Sequence, residues 1–270
     1  MNSYIVNHQQ RTTFDTDGFV RLPNVIDEEW IIKGREACER ATSVKIVPGS
    51  EGPDYFMKLR VWENNDVFRH LATLSSIPNI AAQLVRSQKI NLLYDQMFNL
   101  APSSGDRTVW HHDLPYWPIT GSQVVTIWLA FDPVTEANGA LEFIRGSHLW
   151  KERFQPIRAD DKNNVKPFGA SGSSNFVATP DFDAKRKDYD MVLVDLEPGD
   201  AVAFHALTVH SSRPNQTKTK ERRAYAMRYT GDAVRYKEGP VWNVYIVNPD
   251  LHHGDILDSE QYPVVYQSAT

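Results

Sequence analysis

The sequence predicts an α+β fold that is mainly β, with N-terminal helices supporting a β-sandwich or jelly roll. Two observations carry this reading. Up to about residue 88 the apolar residues recur at helical spacing. From Lys89 onward they fall in short runs of β-branched and aromatic residues separated by turn signals. A third observation is size: 270 residues, 41% hydrophobic and 23% charged, suit one large all-β domain with a sizeable core. Residues 1–270 are expected to form a single domain. In it, 1–88 are a mainly helical support layer, and 89–247 are a jelly-roll core with a lid-like insert at 151–190.

The elements follow in order. Met1 to Arg11 is polar, reads as an extended start and carries no apolar signal segment. Phe14 to Asp17 predicts a helical turn, Gly18 a break, and Phe19 to Leu22 a strand. Asp27 caps a helix reaching about Ser43, because Glu28 and Glu29 suit its positive end and Trp30, Ile31 and Ile32 open its apolar stripe. Pro48, Gly49, Gly52 and Pro53 mark a loop. Between Asp66 and Arg86, Phe68, Leu71, Leu74, Ile77, Ile80, Leu84 and Val85 keep helical spacing, and Pro78 divides the segment into two helices. Strands are expected at Ile90 to Leu100, Thr108 to Asp113, Gln123 to Phe131, Ala140 to Ile144, Met191 to Leu196, Ala201 to Phe204, Thr208 to Ser212 and Arg222 to Thr230. Val241 to Val247 is one more apolar segment. The insert at 151–190 is polar and irregular, and too long for a plain connection, which points to a functional lid or mobile loop.

Bulk properties exclude several function classes. A net charge of -5 gives no electrostatic case for nucleic acid. No run approaches the roughly 18 consecutive apolar residues of a membrane span. The single cysteine, Cys38, rules out an internal disulfide framework and suits a reducing compartment, so a cytoplasmic location is expected. Seven Trp and eleven Tyr suit either core packing or a pocket for an organic ligand.

Chemistry concentrates in Trp110-His111-His112-Asp113. On a strand, residues two apart share a face, so the His111 imidazole and Asp113 carboxylate would sit side by side and grip one metal ion. The pattern alone is weak, since His-x-Asp occurs by chance in many chains. A distant third ligand is available in His210, with His205 and His148 as rivals. Two histidines and one carboxylate that leave open coordination positions are the facial triad of non-haem Fe(II) oxygenases.

Further motifs stand in order along the chain: Trp128-Leu129-Ala130-Phe131-Asp132, Asn138-Gly139-Ala140-Leu141, Gly146-Ser147-His148, Glu197-Pro198-Gly199-Asp200, His210-Ser211-Ser212 and Arg222-Arg223-Ala224. With them the chain resembles the phytanoyl-CoA dioxygenase family of Fe(II)/2-oxoglutarate-dependent oxygenases, from Asp17-Gly18-Phe19-Val20 to about Asp232. The resemblance implies a double-stranded β-helix, which is a cupin-like jelly roll. It implies His111, Asp113 and His210 as ligands to Fe(II), with 2-oxoglutarate as co-substrate. Relatives that halogenate lack the carboxylate, so Asp113 favours hydroxylation or a related oxidation. His148 matches a structural Gly-Ser-His turn, and His112 stands where the family usually has Gln.

The distal carboxylate of 2-oxoglutarate needs a cation, and a guanidinium matches it in two-pronged geometry. Arg222 matches the family's arginine. The segment after His210 is one residue longer than usual, so Arg223 is a rival on the opposite strand face. Arg222 shares its face with Ala224, Ala226 and Arg228, and the two small alanines would leave room for a ligand. Ser212 and Trp128 match positions lining the co-substrate pocket. Tyr116, Trp117 and Arg228 are candidates for substrate contact; Tyr116 and Trp117 are equally suited to clamp a Pro-rich turn. The expected activity uses O2 and 2-oxoglutarate to oxidise a small-molecule substrate, releasing succinate and CO2. Two alternatives stay open: a cupin-like metalloenzyme that does not use 2-oxoglutarate, and a non-catalytic binding protein on the same fold. Oligomeric state is not legible.

Overall fold

The computed structural model describes residues 4–43, 55–105, 107–156, 176–239 and 246–268. Its helices are α1 (His8–Asp17), α2 (Glu28–Ser43), α3 (Asp66–Arg69) and α4 (Ile77–Val85), with a single π-type turn at His70–Leu74. Its strands are β1 (Phe19–Leu22), β2 (Tyr55–Leu59), β3 (Lys89–Leu100), β4 (Ile119–Thr120), β5 (Val124–Ala130), β6 (Leu141–Ile144) and β7 (Arg153–Phe154). They continue with β8 (Phe176–Val177), β9 (Met191–Val194), β10 (Ala201–His205), β11 (His210–Ser212), β12 (Arg222–Gly231), β13 (Arg235–Tyr236) and β14 (Val264–Gln267).

A large antiparallel sheet runs β1-β10-β5-β12-β3-β14, with β2 also on β3, and faces a smaller sheet β11-β6-β9. This is the jelly roll the sequence predicts. Strand alternation divides the large sheet chemically. Ile127, Leu129, Tyr225, Met227 and Tyr229 point out toward the helices, where they pack with Phe68, Leu71, Ile77 and Ile80. Trp128, Ala130, Ala224 and Ala226 point in, against Leu141 and Phe143 of the smaller sheet. Each fully buried helix residue contributes roughly 1.5–3 kcal/mol of burial. α2 approaches the sheet at Gly34, where an added Cβ would lie 2.1 Å from the Phe131 ring, so only glycine permits that contact.

The structure corrects four expectations. The N-terminal segment is helical from His8, because Asn7 and Gln10 form a reciprocal cap: Asn7 Oδ1 accepts the Gln10 N–H at 2.8 Å, and Gln10 Oε1 accepts the Asn7 N–H at 2.9 Å. Pro78 does not break a helix but sits in the first turn of α4, where its missing N–H costs nothing; the break falls at extended Ser75. Thr108 to Asp113 does not form a strand. One bridge joins His111 to His210, after which Asp113 takes helical backbone angles and caps a 3-10 turn at Leu114–Tyr116. The tail supplies β13 and β14, which short length and weak alternation hide in the sequence.

Residues 157–175 of the expected insert, 44–54 of the expected loop and 240–245 of the last apolar segment lie outside the described residues. The described flanks of the insert are anchored by aromatic packing. Phe182 is fully buried against Trp110, Trp150, Phe154 and Tyr189. Arg186 also pairs with buried Glu142.

Candidate metal centre

His111 and His210 come together through the backbone. Each N–H donates to the other's carbonyl, at 3.0 and 2.8 Å, the reciprocal exchange of a hydrogen-bonded antiparallel pair. Residues so paired project to the same side, and the two imidazole centroids lie 4.3 Å apart. The carboxylate arrives by the turn at Asp113, not by strand alternation. Its Oδ1 is 3.4 Å from His111 Nε2 and 4.0 Å from His210 Nε2. One ligand atom from each of the three residues lies within 4.8 Å of the others.

The protein fixes the histidine tautomers. His111 Nδ1 is 2.8 Å from the Val109 carbonyl and His210 Nδ1 is 3.0 Å from the Thr208 carbonyl. A carbonyl only accepts, so both Nδ1 atoms donate and both Nε2 lone pairs face the carboxylate. Burial, reinforced by His111, pushes His210 down to about 3, so it is neutral near pH 7. For Asp113 burial opposes ionisation, but the neighbouring His111 and His210 and the positive charge of Arg228 outweigh it, and the carboxyl stays below its ordinary range. Thr126 Oγ1 donates to Asp113 Oδ2 at 3.3 Å and orients the free oxygen. The donor set, two neutral imidazoles and one carboxylate with outer partners in place, fits a divalent first-row metal.

His112, His205 and His148 are engaged elsewhere. His112 turns away, stacks on Phe154 and accepts the Phe154 N–H at 3.0 Å. His205 donates from Nε2 to the Ser122 carbonyl at 2.8 Å and accepts the Leu207 N–H at Nδ1. His148 contacts the Asp15 carbonyl. His148 and His205 are therefore held by backbone away from the His111–Asp113–His210 cluster.

Arg222 and Arg223 part ways by alternation. Arg222 is 2% exposed on the inner face, with its guanidinium carbon 5.1 Å from the centre of the Trp128 ring. Gly139 (φ +103) backs it: an added Cβ would lie 2.7 Å from Leu100 and 3.4 Å from Arg222 Nε, crowding the arginine. Arg223 points to the helices and bonds Asp132 (2.8 and 2.9 Å) and Glu39 (2.6 Å). Asp132 is shared with Arg35 of α2. Ser212 is buried on the His210 face of β11, its Oγ accepting the Thr108 N–H at 3.0 Å.

Tyr116 lies edge-on to His111, with ring centroids 6.0 Å apart. Trp117 instead packs in a core cluster and donates its indole N–H to Tyr94 at 3.0 Å. Arg228 is on the inner face, opposite Thr126 and Tyr94. Thr126 was missed in the sequence. It stands two residues before Trp128, so strand alternation already places it on the same inward face.

With this geometry in hand, the chain compares as follows. The family model for phytanoyl-CoA dioxygenase matches residues 14–224. A probable phytanoyl-CoA dioxygenase of Caenorhabditis elegans is 22% identical over 84% of this chain and 76% of its own length. Among solved structures, the α-ketoglutarate-dependent carbocyclase SnoK from nogalamycin biosynthesis superposes with a TM-score of 0.75 at 21% identity, covering 98% of each chain. The epimerase SnoN from the same biosynthesis gives 0.74 at 22%, covering 97% of this chain and 96% of its own. The fold shared with these structures is the double-stranded β-helix.

Proposed function

The chain belongs to the phytanoyl-CoA dioxygenase family, and from that membership we propose that it oxidises an unactivated C–H bond of a small organic molecule at a centre built from His111, Asp113 and His210. It is a 2-oxoglutarate-dependent dioxygenase, and its cofactors are Fe(II) and 2-oxoglutarate. The observation that carries the site assignment is the convergence of those three donors on the inner face that also holds buried Arg222.

When bound, the iron and its co-substrate supply the oxidising equivalents, with O2 consumed and 2-oxoglutarate converted to succinate and CO2. The chain's part is placement. His111 and His210 present Nε2 lone pairs because Val109 and Thr208 hold their other nitrogens. Asp113 offers one oxygen to the centre while Thr126 fixes the other. Arg222, stacked near Trp128, meets the distal carboxylate of the co-substrate in a dry setting that strengthens the pairing. Ser212, on the His210 face of β11, would contribute to the co-substrate end, and Tyr116 beside His111 to the substrate end. Ala224 and Ala226 put only methyl groups on the face between Arg222 and Arg228. No helix among the described residues is long and apolar enough to cross a membrane, and the one thiol, Cys38, is buried. The cytoplasm is the setting we propose, in keeping with that single cysteine.

The direct test is Fe(II)-dependent formation of succinate from 2-oxoglutarate under air. The wild type is expected to release succinate, and both His111→Ala and chelator-treated protein to release none. Equal release from His111→Ala and wild type would remove His111 from the centre.

A further inference from the structure

Resting on the 2-oxoglutarate reading above, we propose that Arg228 is a second carboxylate seat inside the barrel, separate from Arg222, and that the organic substrate carries a carboxylate that docks there. Arg228 is 6% exposed and lies on the same face of β12 as Arg222, six residues further along. Its guanidinium carbon is 4.7 Å from the centre of the Tyr94 ring and 6.0 Å from that of Phe98. Its Nε is buried with no hydrogen-bond partner, and its Nη1 reaches only the Ala226 carbonyl of its own strand, at 3.3 Å. Among the described residues it has no ion-pair partner. Arg223, on the other face, has two carboxylates.

A buried guanidinium without a counter-ion is costly, because its desolvation is not repaid. A protein that keeps such a group gains from it when an anion arrives. Aromatic walls lower the local dielectric and hold the guanidinium plane, which strengthens a charge-assisted bond to an entering carboxylate.

Position brings the seat to the reacting centre. Arg228 pairs in register with Thr126, whose hydroxyl contacts Asp113. Charge balance points the same way. A divalent ion is offset by Asp113 and one carboxylate of 2-oxoglutarate, and Arg222 by the other. One positive charge is left on the inner face, at Arg228. A monoanionic carboxylate neutralises it one for one, whereas a phosphate dianion would leave a buried negative charge. The seat would hold the substrate by its anionic end and leave its C–H bonds to be presented to the centre.

The test uses anaerobic protein loaded with Fe(II) and 2-oxoglutarate, with acetate and its neutral counterpart acetamide as probes and calorimetry as readout. Wild type is expected to bind acetate about tenfold or more tighter than acetamide, and Arg228→Met to lose that preference. The charge-transfer absorption of the 2-oxoglutarate complex is expected to form in Arg228→Met at co-substrate concentrations within about threefold of wild type. Arg228→Lys keeps the charge without the fork, so it should retain part of the preference, and it serves if the Met variant does not fold. No acetate preference in wild type, or an undiminished one in Arg228→Met, overturns the proposal. So does a roughly tenfold or larger rise in 2-oxoglutarate requirement, because the seat would then belong to the co-substrate. An Arg228-dependent acetate preference without any charge-transfer band would support the seat and count against the 2-oxoglutarate reading instead.

Discussion

The two faces of β12 carry opposite kinds of residue within one ten-residue strand. Outward, Arg223, Tyr225, Met227 and Tyr229 are paired or packed: Arg223 with Asp132 and Glu39, Tyr225 with Asp95 at 2.6 Å, Tyr229 with the Ala72 carbonyl at 2.9 Å. Inward, two buried arginines flank two alanines that sit among Trp128, Leu141 and Phe143. The outer face is organised for stability and the inner face for a ligand, although both are buried. Burial alone does not separate core from site. What separates them is the kind of group each face carries: hydroxyls and carboxylates bonded to the support layer outside, and arginines beside the His111–Asp113–His210 cluster inside.

Breaking the comparison at its strongest point means removing a ligand. His210→Ala is expected to abolish Fe(II) binding and 2-oxoglutarate turnover while the protein stays folded, read by metal analysis and circular dichroism. Unfolding of the metal-free variant would make His210 structural. An outer-face truncation should do the reverse. Tyr225→Ala removes a fully buried ring and its bond to Asp95, and is expected to cost about 3–5 kcal/mol in denaturant unfolding, with the 2-oxoglutarate midpoint of the folded fraction unchanged. A smaller effect is expected from Arg223→Met, about 1–2 kcal/mol, because Arg35 still pairs with the buried Asp132.

The smallest effect sharpens the assignment of the rival histidine. Burial pushes His205 from 6.5 down to about 4, with its bond to Ser122 partly opposing. As pH falls below about 6.5 the unfolded chain takes up a proton that the native state refuses until about pH 4. Its contribution to stability is therefore complete above about 6.5 and is lost across that window on acidification. The thermal midpoint of metal-free wild type should fall between pH 7 and pH 5, and His205→Gln should fall less. Identical slopes would show that His205 is not held neutral.

Most of this was legible in the sequence where local rules govern. Alternation alone put Arg222 with Ala224 and Ala226, and Arg223 on the opposite face. The jelly roll followed from β-branched runs such as Val124 to Ala130. What escaped depends on tertiary contacts. The His111–Asp113 pair was read as one strand face, but a single bridge to His210 followed by a turn builds it, and no local signal distinguishes the two. Thr126 was within reach of the same alternation that gave Trp128. That Arg228 has no ion-pair partner among the described residues shows only when its neighbours are in place. The Asn7–Gln10 cap is a short motif set in a polar stretch, and the polar character around it masks the helix it starts.

The central claim is that the inner face binds and the outer face supports, and the two adjacent arginines test it most directly. Fe(II)-loaded wild type, Arg222→Ala and Arg223→Ala would be titrated anaerobically with 2-oxoglutarate, following the visible charge-transfer band of the chelate. Wild type and Arg223→Ala are expected to develop the band at the same concentration. Arg222→Ala is expected to need about 100-fold more, the loss of a buried charge-assisted pair worth about 2–3 kcal/mol. A band that survives Arg222→Ala unchanged but is lost in Arg223→Ala, or no band in metal-loaded wild type, would contradict the account.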